Sequence, residues 1–149
     1  MRKIEYAFAR IFYLCFFIRM IKAAKLYQCL GDATRLRILN LLLDGPLCVC
    51  HLGEVLEIDQ PKVSRHLKVL RSAGAVESHR CHNWTICRLA AAPNPLLAAN
   101  LKALPSLRKS DPELAADIER RTDVVARWGA ACDEKTPGII RNLCLTNSC

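Results

Sequence analysis

The chain has 149 residues, 52% of them hydrophobic, which suits one domain with a real core and excludes disorder as its main state. Its net charge of +8 favours a polyanionic partner: DNA, RNA or an anionic membrane surface. Nine cysteines without a recognisable secretory signal argue against a disulfide scaffold and for a cytoplasmic protein.

Residues 11–18 are apolar, but Arg10 and Arg19 bracket them, and a spanning helix needs roughly 20 such residues. No membrane partner is therefore expected, although an interfacial helix is the competing reading. Residues 1–19 read as an N-terminal extension, either a helical arm or sequence ahead of a start at Met20. Residues 3–30 carry the spacing of one or two helices. Asp32 is placed to cap a helix over 33–43, which Gly45-Pro46 ends. A short helix is expected over 47–56, then a tight turn at Glu57-Ile58-Asp59.

Asp59 is an N-cap candidate for a helix over 60–73, and Pro61 fits its first turn. Val63, Leu67 and Leu70 share one face, which predicts its burial. Gly74 stops the helix. Strand-like runs at 75–80 and 84–89 flank a turn at Cys81-His82-Asn83. A helix over 95–104 is expected to end at Pro105, and Asp111-Pro112 to start a long one over 112–131. A cysteine-bearing tail follows Pro137-Gly138. The fold class is mainly α with one β-hairpin.

A short helix, a tight turn and a basic helix make a helix-turn-helix, and the hairpin after it is a wing. With Val63, Leu67 and Leu70 turned inward, Gln60, Ser64, Lys68 and Arg71 line the outer face, with Lys62, Arg65 and His66 beside them. Gln60 and Ser64 stand at the N-terminal end, where a recognition helix reaches base edges. Gln pairs with adenine, Arg with guanine, and Ser with either. Lys68 and Arg71 suit phosphates. In the wing, Arg80, His82 and Asn83 are candidates for phosphate or minor-groove contact. A solvated amphipathic helix is the bland alternative.

Cys48-Val49-Cys50 falls at the start of the expected helix 47–56. In an ideal helix such side chains point about 200° apart. Two thiols placed so cannot share one ion without unwinding that turn, and a disulfide between them is disfavoured. A helix N-terminus lowers a thiol's pKa, and thiolates select soft ions. Small buried core cysteines are the alternative.

Residues 26–89 resemble the ArsR–SmtB family of small metalloregulatory repressors. The carriers are LGDATRLRILNLL (30–42), PLCVCHLGEVL (46–56), QPKVSRHLKVLRSAGAV (60–76) and CRL (87–89). The resemblance implies a winged helix-turn-helix over 20–92 and a homodimer held by its first and last helices, the latter within 93–149. It implies a palindromic double-stranded operator, bound without the inducer and released with it. The cysteine pair resembles the thiol site of arsenite- and antimonite-responsive members. Some of these have a third cysteine where this chain has Gly53. In cadmium- and lead-responsive relatives, cysteines of one subunit's N-terminal arm complete the site on the other, which makes Cys15 a candidate ligand beside Cys48 and Cys50. Cys29, Cys132, Cys144 and Cys149 are weaker candidates.

His51 reads as structural or solvated, and Cys81 and Cys87 as structural. The family's zinc site on the last helix is absent, since all four histidines lie at or before residue 82. The expected function is an arsenite- or antimonite-released repressor. A cadmium- or lead-responsive repressor and a thiol redox sensor stand as alternatives. No phosphate loop, catalytic triad, carboxylate pair or CxxC motif points to an enzyme.

Overall fold

Local chemistry sets most of the helix ends. A computed structural model describes residues 2–81 and 84–131. His82, Asn83, Cys132, Cys144 and Cys149 lie outside the described residues. One continuous helix, α1 (Arg2–Leu30), opens the chain. Its base buries Leu26, Cys29 and Leu30, while Tyr13, Leu14, Phe16, Phe17 and Ile18 stand exposed further up. Asp32 accepts the Arg35 backbone N–H at 2.9 Å and so caps α2 (Ala33–Leu43). Helix α2 sends Ile38, Leu39, Leu41 and Leu42 into the core.

The next element corrects the sequence reading. Gly45 turns the chain at φ 118°, and Leu47–Cys48 then forms a short strand, β1, before the helix begins. Leu47 pairs with Cys87 and Cys48 with Ile86, both antiparallel. Helix α3 therefore spans only Val49–Leu56, with Cys48 as its extended N-cap. The sheet has three strands in the order β1-β3-β2, with β2 at Val76–Cys81 and β3 at Trp84–Leu89. The expected hairpin is present, with β1 added along its β3 edge.

Helix α4 (Gln60–Ser72) follows the tight turn, in which Glu57 takes the left-handed conformation at φ 57°. Val63, Leu67 and Leu70 are buried as their spacing predicts. Asp59 holds the cap position with its backbone: its carbonyl accepts from Lys62 and Val63 at 3.0 and 3.1 Å. Its side chain makes no cap bond and lies 3.5 Å from the Lys62 ammonium. Gly74, at φ 69°, ends α4. The Gly74 and Ala75 N–H groups return to the Arg71 and Leu70 carbonyls, both at 2.9 Å.

Helix α5 (Pro95–Ser110) runs through Pro105 instead of stopping there. An interior proline costs about 3 kcal/mol, and tertiary anchoring offsets it. Leu104 is buried, and Arg108 donates to the Asn40 side chain and carbonyl at 2.9 and 3.1 Å and pairs with Asp44 at 3.1 Å. Helix α6 (Pro112–Ala131) starts where Asp111 accepts the Glu113 and Leu114 N–H groups at 2.9 and 3.2 Å. Asp117, fully buried, fastens α6 to α2. It accepts two hydrogen bonds from Arg37 at 2.8 Å and one from Arg120 at 2.6 Å. One core thus joins the base of α1 to α6. Among the described residues, no helix is long and apolar enough to cross a membrane.

Candidate nucleic-acid interface and thiol site

Helix α4 turns a polar stripe away from the core. Gln60, Lys62, Ser64, Arg65, Lys68 and Arg71 are exposed, as is Arg80 on β2. Two expected members depart from this arrangement. His66 is half-buried, with Nδ1 3.5 Å from Asp32 Oδ1, so it turns toward the α2 cap and away from the open face. Arg71 donates to Ser78 Oγ at 3.2 Å, which ties the end of α4 to the hairpin.

Gly53 explains how closely α3 approaches α4. It is buried, and its carbonyl accepts the Ile58 N–H at 3.0 Å. A Cβ at this position would lie 3.0 Å from the Ile58 carbonyl oxygen and 3.8 Å from Val63. Position 53 therefore faces the tight turn, and a side chain there would press on the Ile58 carbonyl.

The thiol pair is arranged differently from the helical expectation. Cys48 is extended, at φ −73° and ψ 154°, while Cys50 lies in the first turn of α3. The 200° divergence of a continuous helix does not apply across this strand-to-helix joint. The two Sγ atoms and an imidazole nitrogen of His51 all lie within 4.8 Å of one another. The pair is therefore brought together without unwinding a turn, with both cysteines as thiols.

Hydrogen bonding with Cys48 holds the Cys50 thiol below its ordinary pKa. The backbone N–H groups of His51 and of Cys50 itself act in the same direction, against burial. Cys29 and Cys87 show the opposite: burial pushes both thiols up. Within one chain, Cys15 is exposed on α1 and lies outside the cluster, as do Cys29 and Cys87.

His51, expected to be structural or solvated, is buried beside the thiol pair. It is 3% exposed, its Nε2 has no hydrogen-bond partner, and burial lowers its pKa to about 4. Its ring lies 5.0 Å from that of Trp128 on α6 and 6.5 Å from that of Trp84 on β3. Beside the pair, a cleft of about 610 Å³ opens between the joint, α4 and the hairpin. Gln60, Ser64, Arg71, Trp84 and Thr85 line it along with the two cysteines. The thiols and the N-terminal end of the polar stripe thus share one cleft.

Residues 32–78 match the family described as bacterial regulatory protein, arsR family. The chain is 47% identical over 64 residues to the arsenic resistance transcriptional regulator ArsR1 of Pseudomonas putida, across 42% of this chain and 50% of that one. It is 42% identical over 64 residues to an uncharacterized HTH-type transcriptional regulator of Methanocaldococcus jannaschii, across 42% of this chain and 72% of that one. The chain belongs to the ArsR family. Its fold is similar to that of the transcriptional repressor BigR from Xylella fastidiosa, with a TM-score of 0.52 and 30% identity over 62% of this chain and 88% of that one. ArsR proteins are transcriptional regulators. The chain spans half the length of the Pseudomonas relative.

Proposed function

We propose that this protein is a cytoplasmic, homodimeric repressor that binds a palindromic operator through α4 and the wing. Arsenite or antimonite, captured by Cys48 and Cys50, releases it. The observation that carries the reading is the thiol pair at the β1–α3 joint, opening on the same cleft as Gln60 and Ser64. The likeness to an arsenic resistance regulator supports the choice of metalloid. Gln60, Ser64 and Arg65 are assigned to base edges, and Lys62, Lys68, Arg71 and Arg80 to phosphates. The exposed apolar run of α1 is assigned to the dimer contact.

The joint supplies a release mechanism. Cys48 is bonded through β1 to Ile86 in the wing, and Cys50 belongs to the helix that packs on α4. An ion bridging the two thiols ties the wing strand to the helix-turn-helix and occupies the cleft between them. The angle between wing and α4 then changes, and the two no longer fit one groove. The test is a gel shift on a palindromic operator, titrated in parallel with arsenite, antimonite, cadmium, lead and zinc. Arsenite should release the wild type, and the Cys48→Ser/Cys50→Ser double variant should stay bound. Release of that variant by arsenite would place the sensor elsewhere.

A further inference from the structure

His51 is a buried polar side chain whose Nε2 makes no hydrogen bond. The site is nearly closed to solvent, flanked by two tryptophans, and offers Nε2 no partner. Leaving a buried polar group unpaired costs about 1–3 kcal/mol. A nitrogen of the same ring lies within 4.8 Å of both sulfurs.

We propose that His51 is the third protein ligand of the cysteine site, so that Cys48, Cys50 and His51, all in one subunit, take a divalent d10 cation of the zinc–cadmium type. This rests on the reading that Cys48 and Cys50 form the sensing site, and it adds a ligand and an ion class to it. Two thiolates and a neutral imidazole balance a 2+ charge, and thiolate with imidazole is a donor set that zinc favours. The two thiol protons leave to solvent as the ion binds. With Zn–S bonds of about 2.3 Å, the edges of a tetrahedral site are ~3.7 Å. The trio closes on an ion by side-chain movements of about an ångström.

Both cysteines line the cleft, and three protein ligands with one open position suit an exchangeable ion better than a structural one. Glu54, one turn on from Cys50, is already engaged by Arg127 at 2.6 Å and by Trp128 Nε1 at 2.9 Å, so it is not a spare ligand. Under this assignment the site needs no Cys15 from a partner subunit. A trivalent metalloid, which favours sulfur, gains little from the imidazole; a cation gains a full ligand.

Cadmium titration, followed by the ultraviolet thiolate-to-metal charge-transfer band, tests the proposal on the full chain. His51→Phe keeps an aromatic ring and removes the donor. The wild type should bind cadmium. Outer-shell partners of metal ligands are already worth 10–100-fold, so His51→Phe should lose at least about tenfold in cadmium affinity. Its arsenite affinity should move far less. Cadmium binding by His51→Phe at wild-type strength, or none by the wild type, overturns the proposal. Retention of both ions by Cys48→Ser/Cys50→Ser overturns instead the underlying assignment of the pair. If His51→Phe does not fold, the zinc absorption edge of the wild type decides: a shell with two sulfurs and one nitrogen supports the trio, and a sulfur-only shell rejects it.

Discussion

Asp117 and His51 are both buried, and both lie where α6 meets the helices beneath it, yet their surroundings differ. Asp117 receives three hydrogen bonds from Arg37 and Arg120, so its charge is fully answered by the protein. His51 is wedged between two indole rings with Nε2 unanswered. The difference separates two uses of buried polarity. A saturated group holds elements together, and removing it damages the fold. An unsaturated group facing two thiols makes no such tie through Nε2, and on the proposed ligand set its removal should weaken ion binding.

Substitution can break that comparison, and the largest effect is expected at the thiols. Cys48→Ser or Cys50→Ser should abolish arsenite-driven release while leaving operator affinity and the thermal midpoint close to wild type. Cys87→Ser, on the strand beside them, should release normally; a loss there equal to that at Cys50 would mean the pair is not special. Asp117→Ala should behave in the opposite way. It strands Arg37 and Arg120 and should cost about 3–5 kcal/mol in urea unfolding. The molecules that remain folded should keep their arsenite response.

The pH dependence sharpens the same contrast. Burial holds the His51 imidazole at about 4, down from 6.5. Between those values the unfolded chain takes up a proton that the folded chain refuses. Stability of the metal-free protein should therefore fall as pH drops from 6.5 toward 4, by on the order of 2–4 kcal/mol. His51→Phe should flatten that limb, and an unchanged limb would mean that the imidazole is not shielded in solution. The smallest effect is expected at Gly53→Ala. The added methyl group presses on the Ile58 carbonyl and should cost about 1–3 kcal/mol by thermal melt, without changing which ions are bound.

Sequence periodicity was enough for the helix-turn-helix. The buried stripe of α4, the Asp32 and Asp111 caps and the stop at Gly74 are all set by residues within a turn of where they act. What escaped depends on distant partners. Strand β1 is two residues long and exists because Ile86 and Cys87 pair with it. Nothing near Cys48 signals that the helix starts one residue later. Pro105 looked like a terminus because Arg108, which anchors the next turn to Asn40 and Asp44, reaches across to α2. His51 looked bland for the same reason: Trp84 and Trp128, which enclose it, are far away in the chain. The outer stripe of α4 was legible as a stripe, but the turn of His66 toward Asp32 was not.

Gly53 has a consequence for redesign. A third thiol at that position would press on the Ile58 carbonyl in the turn before α4, so a graft there carries a packing cost. The neighbouring route is open, because position 51 already faces both sulfurs and is already buried. On the proposed ligand set, a His51→Cys exchange would replace the third donor. Ion preference is then tuned at position 51, away from the outer stripe of α4 that is proposed to read DNA.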